Sequence, residues 1–279
     1  MNNTLLALYG LKWNPFSPEL PIEALCVSPG IENFCWRIEQ SLVREGGFAL
    51  IAGEPGTGKS VALRILADRL QQMRDVTTGA ITHPSCNLAD FYREMGDLFG
   101  IELKPHNRWG GFKALRERWL SHLDGTFLRP VLLIDEAQEM HPAVLNELRL
   151  LSSKEFDSAN LLTVIFAGDG RFNQKLRYPD LLPLGSRIRT RLNMEYASRE
   201  ELMTCLHHLQ KSAGNTRLMT EALMKTLCDH SAGNYRVLLT MAGELLACAA
   251  HRELPLLDEK LFLDTFSTPK NKGLVEQVA

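Results

Sequence analysis

No stretch of about 18 uncharged apolar residues occurs in the sequence, so no helix is expected to cross a membrane. The N-terminal MNNTLLALYGLKWNPF lacks a basic lead, and its apolar part is too short for a secretory leader. No two cysteines stand in a C-x-x-C pair; Cys26, Cys35, Cys86, Cys205, Cys228 and Cys248 are scattered along the chain. A zinc site or a dithiol motif is therefore not expected. Several of the six lie on apolar stretches, where a free cysteine behaves as a small hydrophobe, and a reducing, cytoplasmic compartment fits them best. His106, His207 and His208 lack ligand spacing and read as a solvated face.

An excess of one charge is missing too. Lys and Arg number 31 against 33 Asp and Glu, a net charge of −2, so a strongly basic nucleic-acid binder is not visible in bulk. A local basic face stays open, because affinity follows the charge on one face rather than the total. With 45% hydrophobic and 23% charged residues over 279 positions, a disordered or fibrous chain is excluded, and one large domain or two unequal ones are expected.

Short apolar runs alternate with helical patterns from about residue 48 to residue 196. Phe48–Ala52, Val131–Ile134 and Leu161–Ala167 read as central strands, and Val76–Thr82 as a weaker one. Leu192–Tyr196 alternates and reads as an edge strand. Helical patterns cover Lys59–Met73, Leu88–Phe99, Phe112–Leu123 and Pro142–Ser152. Such alternation argues for a three-layer α/β domain with a parallel sheet. At Ser198 the pattern changes. S-R-E-E is a capping box with Glu201 in third position, and three further helical segments follow near 219–231, 234–252 and 257–266. The expected division is an α/β domain at 1–197, a helical domain at 198–266 and a polar tail at 267–279. The tail reads either as a plain mobile end or as a segment that folds onto a partner.

Residues 53–60 read G-E-P-G-T-G-K-S and match G-x-x-x-x-G-K-[ST] in full, with a strand before and a helix after. Gly53, Gly56 and Gly58 let the backbone curl so that its N–H groups face phosphate oxygens. Lys59 supplies a point charge to the β- and γ-phosphates, and the Ser60 hydroxyl is a ligand for Mg²⁺. Glu54, Pro55, Thr57 and Val61 complete the expected phosphate-binding stretch. The partner signal is V-L-L-I-D-E-A-Q at 131–138, an apolar strand ending in Asp135, the expected Mg²⁺-side carboxylate. Glu136 next to it can orient, or take a proton from, an attacking water.

On these motifs the chain resembles the AAA+ ATPases, and more narrowly the branch of the secretion ATPase ExeA (GspA) and the transposition ATPases of the MuB, TniB, TnsC and IstB kind. Y-G-L-K-W-N-P-F at Tyr9–Phe16 is similar to the F-G-L-x-x-x-P-F opening of that branch, and G-S-R-I-R-T-R at 185–191 to its Q-R-I-x-x-R. The resemblance implies a five-stranded sheet in the order 5-1-4-3-2 followed by a helical lid. It implies an adenine contact from Leu11 and Phe16, an arginine finger at Arg187 acting on a neighbouring subunit, with Arg191 and then Arg189 as further candidates, and a lid arginine at Arg236. Asp169, in I-F-A-G-D-G, falls where the family carries its sensor-1 polar residue, often Gln. An acid there repels the γ-phosphate unless Mg²⁺ or an arginine is near.

What the resemblance implies about the task divides. In the transposition branch such a protein assembles on double-stranded DNA with ATP, as a ring or filament, and stimulates a transposase or integrase, with a target-selection protein as a further partner. The secretion members carry a transmembrane helix and a periplasmic domain after the ATPase, which this sequence does not show, and this favours the transposition expectation. A stand-alone cytosolic ATPase of another mobile-element or defence system is the remaining alternative. Lys104–Arg118 (K-P-H-N-R-W-G-G-F-K-A-L-R-E-R) is the candidate DNA surface, with Lys104, Arg108 and Lys113 as phosphate contacts and Trp109 and Phe112 interleaved. It fits equally a surface helix whose arginines pair with Glu117 and nearby acids, with Trp109 in the core.

Overall fold

Apolar runs too short for helices become the strands of one sheet. The computed structural model describes residues 2–103, 107–125, 127–154 and 158–266. The strands are β1 (Gly47–Gly53), β2 (Val76–Ile81), β3 (Arg129–Ile134), β4 (Thr163–Gly168) and β5 (Ile188–Met194). Their order is β2-β3-β4-β1-β5, every neighbouring pair is parallel, and this is the expected 5-1-4-3-2 order counted from the other edge. β4 is buried at every position and β1 at all but its last, which explains their continuous apolar sequence.

The edge strand lies earlier than expected, as does the start of the helix expected at Phe112–Leu123, which begins at Arg108. Alternation at Leu192–Tyr196 marks only the end of a strand that starts at Ile188 and stops at Met194. Its first half alternates by burial rather than by residue class: Ile188 and Thr190 point inward, Arg189 and Arg191 outward. A buried threonine between two arginines carries no apolar signal.

Among the described residues the α-helices, apart from the single turn Val43–Glu45, are α1 (Asn2–Tyr9), α2 (Pro29–Arg37), α3 (Lys59–Gln71), α4 (Leu88–Phe99), α5 (Arg108–Gly125), α6 (Pro142–Ser152), α7 (Gly170–Lys175), α8 (Leu182–Gly185), α9 (Arg199–Ala213), α10 (Glu221–Ser231), α11 (Tyr235–His251) and α12 (Glu259–Phe266). Their ends follow local chemistry. Asn87 caps α4 by accepting from the N–H groups of Ala89 and Asp90, and Gly100 ends it with φ +66°. Pro142 opens α6 behind a capping His141 side chain. The capping box at α9 is present in both directions, Ser198 with Glu201.

The chain divides into two units, residues 27–195 and residues 1–26 together with 196–279. In the α/β unit aromatic pairs are set in a largely aliphatic core. Phe48 stacks on Phe166 at 6.1 Å and 5°, and Phe99 meets Trp119 edge-on at 5.3 Å. Truncating a fully buried phenylalanine such as Phe166 costs about 3–5 kcal/mol.

The helical unit includes the N-terminal segment, which the sequence assigned to the α/β domain. Tyr9, Leu11 and Phe16 are buried among Leu206, Leu223 and Leu245. Lys12 N–H donates to Ala213 O at 2.9 Å, the Asn215 side chain to Tyr9 O at 2.8 Å and the Tyr9 hydroxyl to Leu254 O at 2.9 Å. These contacts join positions about 200 or more apart, and nothing in a short apolar segment names so distant a partner. The tail expected at 267–279 lies outside the described residues.

Candidate nucleotide site

Strand register assembles the site. β1 lies between β4 and β5, with Ala52 opposite Gly168, and β3 beside β4, with Ile134 opposite Phe166. Gly53, Asp135 and Asp169 therefore leave the carboxyl ends of three adjacent parallel strands at nearly one level, where open α/β sheets hold ligands.

The loop after β1 takes the conformation its glycines allow. Gly56 has φ +84° and Gly58 φ +100°. Gly53 is needed for a different reason: a Cβ there would stand 2.5 Å from Met194 O and 2.7 Å from Thr57 Oγ1. Thr57, 1% exposed, donates through Oγ1 to Glu54 O at 2.8 Å, and Lys59 Nζ donates to the same oxygen at 3.1 Å. Lys59 is 7% exposed, so its charge is held inside the curl of the loop, while Ser60 is exposed at the start of α3. The N-terminal N–H groups of α3 and its dipole favour an anion at this point.

Asp135 follows the last residue of β3, and its Oδ1 accepts the backbone N–H of Glu136 at 2.9 Å. Glu136 is exposed and left-handed, φ +50° and ψ +42°, a conformation a non-glycine residue enters at a cost of about 1–3 kcal/mol. Its carboxylate accepts from the side-chain amide of Gln138, which is 5% exposed, and Gln138 Oε1 in turn accepts the backbone N–H of Asp169 at 3.3 Å. Gly168 keeps this bridge open, since a Cβ there would lie 3.1 Å from Gln138 Oε1 and 3.0 Å from Phe172 Cβ. Lys175 Nζ donates to Met140 O at 2.9 Å and to Gln138 O, and burial lowers its pKa.

Asp169 does not stand alone. It caps α7 by accepting from Arg171 N–H at 2.9 Å, and its Oδ2 accepts from Arg171 Nε at 2.8 Å. Burial opposes its charge, but the Arg171 guanidinium and N–H outweigh burial and, with a smaller pull from Lys59, lower its pKa. Arg171 also reaches Glu139 at 3.1 Å. The neighbouring cation required for an acid at this position is therefore present two residues on.

Ser60 and Asp135 are the expected Mg²⁺ ligands. Among the described residues no group of three or more His, Cys, Asp or Glu could hold a metal ion. One hydroxyl and one carboxylate at the same sheet end suit an ion completed by nucleotide phosphates and water rather than a protein-only cage. Glu54, Pro55 and Val61 lie on the loop and the first turn of α3.

Arg187 precedes β5, and Arg189 and Arg191 lie on its exposed face. Arg189 pairs with Glu45 at 3.1 Å, both 62% exposed, and Arg191 donates to Gly185 O at 3.3 Å. Leu11, Phe16 and Arg236 belong to the helical unit. Leu11 and Phe16 are 7% and 5% exposed within its core, and Arg236 is exposed in the first turn of α11.

The candidate DNA surface splits. Lys104 lies outside the described residues. Arg108 is not a free cation: its guanidinium grips both oxygens of Glu147, a carboxylate 1% exposed that also accepts from the Tyr92 hydroxyl. A buried carboxylate needs this partner, so Arg108, the expected phosphate contact, also serves Glu147 within the chain. Lys113 pairs only loosely with Glu117, at 3.6 Å and with both exposed. Trp109 is 74% exposed and stacks on Phe112 at 6.0 Å and 9°, so it is not a core residue. Arg116 spans Phe112, 5.3 Å from the ring centre, to Leu151 O at 3.0 Å at the end of α6.

Gln138, Arg171 and Glu147 had no role in the sequence reading. The first was visible only as the last letter of D-E-A-Q, and the other two act through contacts that no spacing reveals.

Residues 43–176 match the AAA domain family. General secretion pathway protein A of Aeromonas hydrophila is 30% identical over 248 residues, 88% of this chain and 44% of that protein; the chain thus spans under half the length of its curated relative. Cdc6p of Pyrobaculum aerophilum shares the fold at a TM-score of 0.70 and 18% identity, over 87% of this chain and 67% of that one. The ORC2 protein of Aeropyrum pernix, solved as ADPNP–ADP complexes, does so at 0.69 and 17%, over 89% and 69%. No helix among the described residues is long and apolar enough to cross a membrane. The phosphate loop, the carboxylates at the neighbouring strand ends and these likenesses agree on the fold: a parallel five-stranded α/β sheet with helices, like that of the AAA+ ATPases, in which residues 43–176 are similar to the AAA domain family.

Proposed function

We propose that the chain hydrolyses ATP to ADP and phosphate as part of a homo-oligomer, and that it assembles on double-stranded DNA to regulate transposition in the cytoplasm. The observation that carries the catalytic part is the Asp135–Glu136–Gln138–Asp169 bridge beside the glycine loop. The loop amides and Lys59 bind the β- and γ-phosphates. Ser60 and Asp135 hold Mg²⁺, which when bound neutralises phosphate charge. Glu136, fixed by Gln138, orients the attacking water. Gln138 also ties the water-side carboxylate to the backbone of Asp169, so both respond to what occupies the γ-phosphate position. Arg187 supplies a cation to a neighbouring subunit's nucleotide, and Arg236 one from the helical unit; Leu11 and Phe16 border the adenine. A finger acting in trans makes turnover depend on assembly.

Support for DNA is the exposed Trp109, stacked on the partly buried Phe112, with Lys113 next in the chain. One such patch is weak in a chain of charge −2, but an assembly repeats it once per subunit. A transposase or integrase, and a target-selection protein, are the partners this reading implies. A second reading is an ATPase of the secretion kind, favoured by the 30% identity to general secretion pathway protein A. Measuring molecular mass with a slowly hydrolysed ATP analogue, with and without duplex DNA at fixed salt, separates the two. A DNA-dependent assembly weakened by Lys113→Ala supports the first. An assembly that needs nucleotide and ignores DNA supports the second, and a monomer in every condition overturns both.

A further inference from the structure

An acid stands beside the phosphate loop, held by a cation that belongs to none of the sequence motifs. Asp169 leaves β4 next to β1, and the residue after it is set against the loop: a Cβ at Gly170 would lie 3.2 Å from Glu54 Oε1. The short helix that follows, α7, packs against β1 and against the turn Ala137–Glu139 behind Asp135 and Glu136. Asp169 is 8% exposed and both of its oxygens are engaged by one residue. Oδ1 accepts from Arg171 N–H at 2.9 Å, and Oδ2 accepts from Arg171 Nε and Nη2, each at 2.8 Å. Nη2 also reaches Glu139 at 3.1 Å, while the Arg171 side chain as a whole stays 65% exposed. All of these residues belong to the α/β unit.

We propose that Arg171 is a specificity-determining residue of the nucleotide site, neutralising Asp169 so that the site accepts a nucleoside triphosphate as well as a diphosphate. The inference rests on the ATP reading of the glycine loop. In that reading the outermost phosphate is the one nearest Asp169. A carboxylate with no cation beside it repels that phosphate, and a part-buried position weakens the screening by water. With the guanidinium in place the acid and its partner are neutral together. A diphosphate lacks the group that meets Asp169, so its binding does not depend on the pair.

Two features set this role apart from a local structural one. The cap on α7 needs only an acceptor oxygen, which asparagine supplies as well as aspartate, so the bonds from the guanidinium to Oδ2 answer the charge rather than the cap. The exposure of Arg171 also means that the fold does not depend on burying its side chain. Lys59 acts on Asp169 too, less strongly than Arg171, which agrees with the acid standing near the lysine of the loop.

Calorimetric titration of the full chain with ADP and with a slowly hydrolysed ATP analogue, at fixed Mg²⁺ and salt, tests this. Arg171→Ala should weaken the triphosphate about 10–100-fold and change ADP less than about threefold. Asp169→Asn combined with Arg171→Ala should bring the triphosphate back to within about threefold of the wild type, because the charge that needed neutralising is gone. Glu139→Gln, which leaves the Asp169–Arg171 pair intact, should keep the ratio of the two affinities within about twofold. Four results overturn the proposal: an unchanged ratio in Arg171→Ala; an equal loss of both nucleotides, which marks a structural role; tighter triphosphate binding, which marks the bare acid as a further Mg²⁺ ligand; or no recovery in the double variant, which makes Arg171 itself the phosphate contact. A wild-type chain that binds neither nucleotide overturns the ATP reading and this inference with it, whereas one that binds both and passes into any of those four results overturns this inference alone.

Discussion

The side-chain amide of Gln138 donates to the Glu136 carboxylate two residues earlier in the chain. Between them Ala137 is buried, and Glu136 sits in the left-handed region, so the bond holds a strained residue in one orientation. Two variants should separate chemistry from binding. Glu136→Gln keeps size and the ability to hydrogen-bond but cannot accept a proton. It should lower kcat about 10²–10³-fold with nucleotide Kd within about twofold. Gln138→Ala frees the Glu136 carboxylate and should lower kcat about tenfold with Kd again unchanged. Steady-state phosphate release and nucleotide titration check both. An equal fall in binding would show that Glu136 and Gln138 shape the pocket rather than the water.

Gly53 faces Met194 O, and an alanine Cβ at 2.5 Å from that backbone atom has nowhere to move. Gly53→Ala should separate β1 from β5 at their carboxyl ends. It should abolish nucleotide-dependent thermal stabilisation and lower stability by about 2–3 kcal/mol. Gly10 gives a control in the helical unit. A Cβ there meets nothing within 4 Å and only its φ of +62° is strained, so Gly10→Ala should cost about 1 kcal/mol and leave nucleotide binding intact. Differential scanning fluorimetry with and without nucleotide reads both.

Much of the α/β unit was legible because its signals are local. Continuous apolar runs became β1, β3 and β4, and Asn87–Gly100 and His141–Pro142 carried their own caps and stops. The phosphate loop was legible for the same reason: its eight residues are consecutive. What stayed hidden depends on distance in sequence. Arg108 is 39 residues from Glu147, and Tyr9 is 245 from the Leu254 carbonyl that its hydroxyl reaches. Arg108 in a run of basic residues looks like a phosphate contact until the buried carboxylate beneath it is seen.

That buried carboxylate makes Arg108 a test of stability rather than of DNA contact. Glu147 is 1% exposed and depends on Arg108 and the Tyr92 hydroxyl. Arg108→Ala leaves it half-satisfied and should cost about 2 kcal/mol, below the value for a fully buried pair because the Arg108 side chain is 61% exposed. Tyr92→Phe should cost about 1–2 kcal/mol. Urea midpoints of the single variants and the double variant give the coupling. DNA affinity corrected for folded fraction should not change in Arg108→Ala but should fall in Trp109→Ala. A corrected loss in Arg108→Ala would return this residue to the DNA surface.

The acid side of Asp169 has a defined sign. Its folded pKa is lowered, against burial, by Arg171 and to a smaller extent by Lys59. Its ionised form is therefore favoured in the folded protein. The contribution is complete above the ordinary carboxyl value of about 3.9 and is lost as pH falls through the folded value below it. Asp169→Asn should leave stability near pH 7 lower and nearly remove this part of the decline below pH 4. It keeps the cap on Arg171 N–H, since an asparagine oxygen also accepts. Thermal melts of both proteins from pH 7 to pH 3 check it; parallel curves would place the acid sensitivity elsewhere.

The three arginines around β5 carry different expected effects. Arg189 is engaged with Glu45 at the surface, in a pair worth about 0–1 kcal/mol, and Arg189→Ala should change hydrolysis less than about twofold. Arg187, at the mouth of the strand, should lower kcat about 10³-fold when replaced by alanine, and Arg191 about tenfold. The decisive measurement is a mixture. Arg187→Ala retains its own glycine loop and lacks the finger; Lys59→Ala retains the finger and lacks the loop's charge. Neither should hydrolyse ATP alone. Mixed at equal concentration they should recover about a quarter of the wild-type rate if subunits pair at random, since only one kind of junction then joins an intact loop to an intact finger. Recovery that vanishes on dilution ties the activity to the junction between subunits. No recovery at any ratio would place Arg187 in its own subunit's site and remove the requirement for assembly.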